Sequence, residues 1–316
     1  MALGDTLFHY LTAVVALGVV ALLGLFTYEL FYGASSSIQT FGIAFLSSGQ
    51  WDPVTSQFGA WPTIYGTLVT SALALMLGVP VSLGTAIFLT ELCPRVLREP
   101  LSFIVELLAA VPSVIFGLWG LFVLSPYMRT SVEPAIQGTV GAHVGFFTPL
   151  GFLSPLFSGT PIGVDKLTAG VILAIMIIPT VSAISREAFR QVPQSQREAA
   201  LSLGATQWET TRIAVVKYAR SGIFGAIILG LGRALGETMA VTMTIGNGLT
   251  VNSSLIQGGR SIASEIANAW PEAASQPLQQ SALLELGLVL LLITLLINIV
   301  ARLLLSRLLS VEEARE

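Results

Sequence analysis

The sequence predicts an all-α, polytopic membrane protein with six transmembrane helices. Composition is the first observation behind this. Of 316 residues, 53% are hydrophobic and 10% charged, with a mean hydropathy of +0.80. Ordinary soluble domains carry about 25% charge, and a soluble fold of this size has too little interior to hide so much apolar surface. Spacing is the second. Six stretches, near 10–32, 62–90, 101–125, 167–189, 222–246 and 281–305, reach the roughly 20 apolar residues that a hydrocarbon core requires. The third is the distribution of basic residues. With the N-terminus inside, Arg95, Arg98, Arg186, Arg190, Arg197, Arg212, Lys217, Arg220, Arg302, Arg307 and Arg315 are cytoplasmic, while Arg129, Lys166 and Arg260 are outside. That asymmetry obeys the positive-inside rule, and the reverse orientation violates it. Both termini and the 190–221 loop are therefore expected in the cytoplasm.

The first stretch lacks the marks of a cleaved leader. Met1 to His9 contains no Lys or Arg, and the apolar run that follows is too long for a signal h-region, so a retained helix is expected. In the third stretch Pro112 and Gly117 permit a kink, and the Ser113 hydroxyl is available to a freed backbone group. The outside segments 33–61, 126–166 and 247–280 are rich in Gly, Ser, Pro and Thr and read as ordered loops with short helices. Gly145 to Leu156 is apolar but interrupted by Pro149 and Pro155; it is too short to span and reads as interfacial or re-entrant. The chain divides into an N-terminal helix with its first external loop (1–61), a core (62–307) and a short tail (308–316). A net charge of -3 gives no basic patch for nucleic acid. The single cysteine, Cys93, excludes an internal disulfide and reads as a small helix-end residue.

Between the fourth and fifth stretches lies a polar, helix-prone island. Pro193 suits a first helical turn, Gln196 to Leu203 are good helix formers, and Gly204 allows a cap or a sharp turn. Ala205 to Val216 then forms a second helix, with Trp208, Ile213, Val215 and Val216 available to the membrane. The two small side chains of Ala199 and Ala200 make a close-approach surface, and Arg197 and Glu198 offer charge. On residue physics alone, this is either a helix lying on lipid headgroups or one seated in the groove of a partner.

The fifth stretch contains a charge. Arg233 is followed by Glu237 at i+4, about 40° around the same helical face. A charge at the membrane centre costs about 2.5–3.5 kcal/mol on insertion scales and usually faces a bundle interior or an aqueous path. The pair reads either as a structural Arg–Glu tie or as a cationic contact for an anion, since a guanidinium fork donates two parallel hydrogen bonds to an oxyanion. Gly232 and Gly236 flank Arg233 at a spacing that lets helices approach closely, within the chain or across a subunit boundary.

Four segments together carry a family resemblance. The block EAALSLGATQWETTRIAVV, with Glu198, Ala199, Ala200 and Gly204 at its core, is similar to the coupling loop of type I ABC import permeases (the MetI-like fold). It departs from that pattern where Val216 and Lys217 stand in place of Leu-Pro. With GRALGETMAV, PSVIFG and the Gly78–Thr85 segment, the chain over about 62–307 resembles the phosphate permeases of that class, the PstC and PstA subunits. The resemblance implies a bacterial inner-membrane permease paired with a second, PstA-like permease. It also implies a homodimeric PstB-like ATPase and a periplasmic PstS-like phosphate-binding protein. ATP and Mg would be bound by the ATPase, with no cofactor and no covalent chemistry in this chain. Arg233 and Glu237 would lie on the phosphate path; Arg197, Glu198, Ala199, Ala200 and Gly204 would meet the ATPase.

Neither Lys166 nor Lys217 precedes Ser or Thr, so no Walker A loop is present, and His9 and His143 stand too far apart for a His-x3-His metal site. An ion-gradient carrier is the main rival, with Glu237 as its protonatable group, and sulfate or molybdate are alternative cargoes. Glu106 and Glu285 are further acids in apolar surroundings, and Glu106 could line a cavity or bond locally.

Overall fold

The computed structural model describes residues 3–142, 155–248 and 251–313. His143, Arg315 and nearly all of the Gly145–Leu156 segment lie outside the described residues. Among the described residues the regular secondary structure is helical. α1 (Leu3–Gly33) and α2 (Ser35–Phe41) lead to α3 (Trp61–Ile87), which a π-helical turn extends to Leu92. α4 (Arg95–Ala110) meets α5 (Ser113–Trp119), which runs on through π-helical turns at Gly120–Leu124 and Met128–Val132 into α6 (Glu133–Ala142). α7 (Lys166–Arg190) is followed by α8 (Gln194–Ser202), α9 (Gln207–Thr210) with a π-helical extension Thr211–Val216, and α10 (Arg220–Gly236). α11 (Met239–Thr244), α12 (Ile262–Ala273) and α13 (Pro277–Glu313) complete the chain.

Among the described residues four helices are long and apolar enough to cross a membrane, and the number is six when each of two bent pairs is counted as one span. The third expected span is one of those pairs: α4 and the helix beginning at Ser113 meet at 90°. The cause is local. Val111 precedes a proline, which drives it out of the α region to φ -67°, ψ 125°, and Pro112 itself is extended at ψ 141°. The expected 222–246 span is not continuous either. α10 ends at Gly236, and its N-terminal side meets the Gln207–Val216 helix at 75°.

α7 is the central helix, with 67% of its apolar window buried, against 28% for α3 and 6% for α13. Its Ala169, Leu173, Ile177 and Val181 pack with Ala74 of α3, Ala226 and Ala234 of α10, and Val241 of α11. Close approach depends on small residues. A side chain at Gly78 would strike Ile177, one at Gly170 would strike Leu73, and one at Gly230 would strike Val181. Gly232 and Gly236 were expected at a helix crossing, yet a Cβ added at either would have nothing within 4 Å. The glycines that bring α10 onto α7 are Gly222 and Gly230, which share a face with Ala226 and Ala234, whereas Gly232 and Gly236 lie away from that face of the helix.

α1 stands at the periphery and is held to α13 mainly at one end: the Ser281 hydroxyl donates to the Gly33 carbonyl at 2.8 Å and accepts from the Ser37 N–H at 3.0 Å. At the same end of the bundle, the segment before α12 lies across α3. The Ile262 N–H donates to the Thr67 hydroxyl at 2.9 Å, and Gly66 leaves room for the Arg260 carbonyl.

Gly66→Ala is expected to lower stability by about 1–3 kcal/mol, because its methyl meets a backbone carbonyl that cannot rotate away. Gly232→Ala, facing open space, is expected to leave the isolated chain unchanged or raise its stability by about 0.5–1 kcal/mol. Thermal unfolding of the purified, detergent-solubilised chain measures both.

Candidate functional site: a broken span and the 190–221 loop

The fifth span breaks where the charge sits. Arg233 lies in the last turn of α10, where the helix dipole favours a cation. Glu237 follows the last helical residue in an extended conformation (φ -71°, ψ 128°), and Thr238 begins α11. The one-turn i+4 geometry expected for Arg233 and Glu237 is thus absent, since residue 237 is no longer helical. No ion pair joins them among the described residues. Arg233 is half-buried, and its Nε–H is enclosed without a hydrogen-bond partner. A guanidinium has five donors, so this one is held inside the bundle with bonding capacity to spare.

Beyond the break α11 packs on α5, the far half of the broken third span. Gly117 makes that contact possible, because a side chain there would meet Met243 and the backbone of Met239 and Ala240. Two interrupted helices therefore cross at mid-chain. Each interruption frees backbone N–H and C=O groups. At membrane depth such groups persist only where protein buries them or where they line an aqueous cavity. Glu106, left open between cavity and local bond, pairs over a long sequence distance with Arg186 and so ties α4 to α7.

At one end of the bundle the 190–221 segment folds as a helix–turn–helix. α8 follows Pro193, and Gly204 adopts φ +87°, a left-handed conformation that side chains resist. Thr206 then caps α9 through a reciprocal box with Glu209, with Thr206 N–H donating to the Glu209 carboxylate at 2.8 Å and Glu209 N–H to the Thr206 hydroxyl at 3.3 Å. The second helix departs from expectation in the π-helical winding of Thr211–Val216. That winding turns Val215 inward against Ala86, Phe189 and Val192, where a membrane-facing residue was expected. Trp208 and Ile213 remain exposed.

The five residues of the expected docking set divide. Glu198 and Ala199 are exposed, as is Gly204. Ala200 and Gly204 line a groove of about 530 Å³ with Leu203, Ala205, Arg212 and Ile213. Leu203 is 88% exposed there, a large apolar side chain with no cover in the chain. Arg197 points the other way. Its guanidinium donates to the Val192 carbonyl at 2.6 Å, the Phe189 carbonyl at 2.9 Å and the Glu91 carboxylate at 3.0 Å. It thereby caps the Phe189 carbonyl in the last turn of α7 and the Val192 carbonyl just beyond it, and clamps α8 to the end of the α3 helix. Sequence reasoning missed Glu91; its one signal was an acid two residues before the Cys93-Pro94 that ends the second span.

Among the described residues the structure is a helical bundle suited to a membrane, with a helix–turn–helix at one end and a charged break in one of its spans. The chain matches the family described as "Binding-protein-dependent transport system inner membrane component" over residues 78–310, and it belongs to that family. It is 47% identical to "Phosphate transport system permease protein PstC" of Mesorhizobium japonicum, covering 97% of this chain and 91% of that protein. It is 46% identical to the protein of the same name from Haemophilus influenzae, covering 96% and 93%. Among solved structures it resembles a chain of a bacterial alginate ABC transporter in complex with an alginate pentasaccharide-bound periplasmic protein. The TM-score is 0.61 at 17% identity, covering 97% of this chain and 98% of that one. A chain of the MetNI methionine ABC transporter in an inward-facing conformation gives a TM-score of 0.55 at 16% identity, covering 82% and 99%. The fold is thus that of MetI-like permeases.

Replacing Arg197 by Ala removes three hydrogen bonds and leaves Glu91 without its partner. Amide hydrogen exchange over residues 194–202 is expected to rise at least about tenfold, the equivalent of about 1.4 kcal/mol. Glu91→Gln, which keeps the two carbonyl contacts, is expected to raise it less.

Proposed function

We propose that this chain is the transmembrane permease subunit of an ATP-driven importer that carries inorganic phosphate inward after delivery by an extracytoplasmic binding protein. The observation that carries the reading is Arg233, a half-buried guanidinium with an unpartnered donor at a break in a membrane helix, in a chain similar along nearly its whole length to proteins named for phosphate transport. An arginine fork presents parallel N–H groups to a tetrahedral oxyanion, and a desolvated site makes those bonds stronger than they are in water. Glu237, in the extended break beside it, would accept a hydrogen bond from the P–OH of a partly protonated oxyanion, which favours phosphate over fully deprotonated sulfate.

The asymmetry of basic residues supports an orientation with both termini and the 190–221 loop in the cytoplasm. In that orientation Glu198, Ala199, Ala200, Leu203 and Gly204 offer the ATPase an exposed, partly apolar seat, and Arg197 acts behind them as a positioning residue. A displacement of α8 would pass through the Arg197 clamp into α7 and α3 together, and from α7 into α10, which packs against it at Gly222 and Gly230. ATP and Mg belong to the ATPase, and this chain does no covalent chemistry. The open face of Gly232 and Gly236 suits the second, PstA-like permease, which would complete the path around Arg233.

Arg233→Gln is expected to abolish phosphate uptake by the assembled importer in proteoliposomes while the complex still co-purifies; dissociation of the complex would instead mark the arginine as a structural tie. Glu198→Lys is expected to weaken co-purification of the ATPase about tenfold or more. Uptake in sealed vesicles is expected to survive an uncoupler and stop without ATP, whereas an ion-gradient carrier would show the opposite pattern.

A further inference from the structure

At the end of the bundle opposite the 190–221 loop, the segment around Trp51, the loop between α11 and α12, α12 and the start of α13 enclose a cavity of about 580 Å³. Its charge is lopsided. The Arg260 charge is balanced by Glu265, to whose carboxylate its guanidinium donates at 2.6 Å, and the same group donates to the Asn247 carbonyl at 3.1 Å. Asp52 and Glu272 also line the cavity, with no cation paired to either among the described residues. The Thr55 hydroxyl and the Val54 N–H hold the Asp52 carboxyl below the usual range, so it stays ionised at neutral pH. Burial pushes the Glu265 carboxyl up, Arg260 opposes this, and the nearby Glu272 adds the smallest contribution.

A second observation points to an occupant. Gln279, in the first turns of α13, lines the cavity and is 1% exposed, yet neither Nε2 nor Oε1 has a hydrogen-bond partner. A buried amide with both ends unpaired is rare in folded proteins. Its carbonyl is an acceptor waiting for a donor. The indole of Trp51 forms part of the wall and offers the aromatic surface that cations favour. An anion does not fit, because the acids repel it. A bare metal ion does not fit, because no three His, Cys, Asp or Glu side chains among the described residues converge closely enough to hold one. The size, the spread acids, the aromatic wall and the unpaired amide suit a larger organic cation on a flexible stem.

We propose that this cavity is a docking socket for an arginine or lysine side chain presented by the extracytoplasmic phosphate-binding protein, with Asp52 and Glu272 as its charge partners and the Gln279 carbonyl as a buried acceptor. The proposal rests on the orientation and partnership argued under Proposed function, which place this end of the bundle outside. A socket of this kind steers encounter through Asp52 and Glu272 and fixes register through Gln279.

The test uses the assembled importer in lipid nanodiscs and the purified phosphate-binding protein, with docking measured by surface plasmon resonance at several salt concentrations. Asp52→Lys/Glu272→Lys is expected to weaken docking about tenfold or more and to abolish its decline with added salt. Gln279→Met, close in volume but without the amide, is expected to weaken docking several-fold while retaining the salt dependence. Charge reversal of the matching basic residue on the binding protein, found by scanning its Arg and Lys positions to Glu, is expected to restore docking to the double variant. Docking unchanged in both variants would overturn the socket and leave the transport reading standing. Loss of permease pairing in place of docking would also overturn it, by giving the cavity to the second permease. Failure of the wild-type importer to bind the phosphate-binding protein at all would sink the underlying functional reading and the socket with it.

Discussion

A lipid bilayer offers a peptide backbone nothing to hydrogen-bond with, and most of this structure follows from that constraint. Regular helices satisfy it by themselves. Two spans here do not remain regular. The third turns through 90° at Val111–Pro112, and the fifth ends at Gly236 and resumes at Met239. Such interruptions need a protein shell, and the bundle supplies one. α7 takes the centre, α3 and α10 pack against it, and α11 crosses α5 so that the far halves of both broken spans cover each other.

The same arrangement links the two ends of the molecule. The Arg197 clamp joins α8 to carbonyls at and just beyond the end of α7 and, through Glu91, to the end of α3. Three charge-assisted bonds on one guanidinium hold the short helix in a single orientation. α7 then contributes to two clusters along its length, one holding Phe189 with Val215 and Ile223, the other Leu173 and Ile177 with Ala234 and Val241. A close-packed interior transmits displacement because it has few voids to absorb it. In the proposed importer this is how a cytoplasmic ATPase would reach the residues around Arg233 without contacting them.

Much of this was legible in the residues. Apolar length located the membrane helices, with boundaries wrong mainly where a helix breaks. Pro112 marked the bend in the third span before any geometry, since a proline both lacks an N–H and displaces the residue ahead of it. The left-handed turn at Gly204 was likewise readable, because glycine tolerates that conformation and the flanking residues favour helix. The fifth span was not readable in this way. Nothing between Gly232 and Met243 forbids a helix outright, so Arg233 and Glu237 looked like neighbours on one face. Only the packing of α11 on α5 determines that the chain leaves the helix at Glu237.

The sequence by itself determined the class of protein: its six apolar stretches, its charge asymmetry, and the Glu-Ala-Ala-x3-Gly island between the fourth and fifth stretches. The first two depend on composition and short-range periodicity and the third on resemblance to a known motif, and all three are carried by the chain alone. The tertiary structure decided direction and partnership. It turned Arg197 inward to Phe189, Val192 and Glu91, pointed Gly222 and Gly230 rather than Gly232 at α7, left the Arg233 Nε–H without an acceptor, and gathered Asp52, Glu272 and Gln279 around one cavity. Residues far apart in sequence meet only once the helices have chosen which faces to bury, and that choice depends on the fit of whole surfaces, which no local pattern encodes.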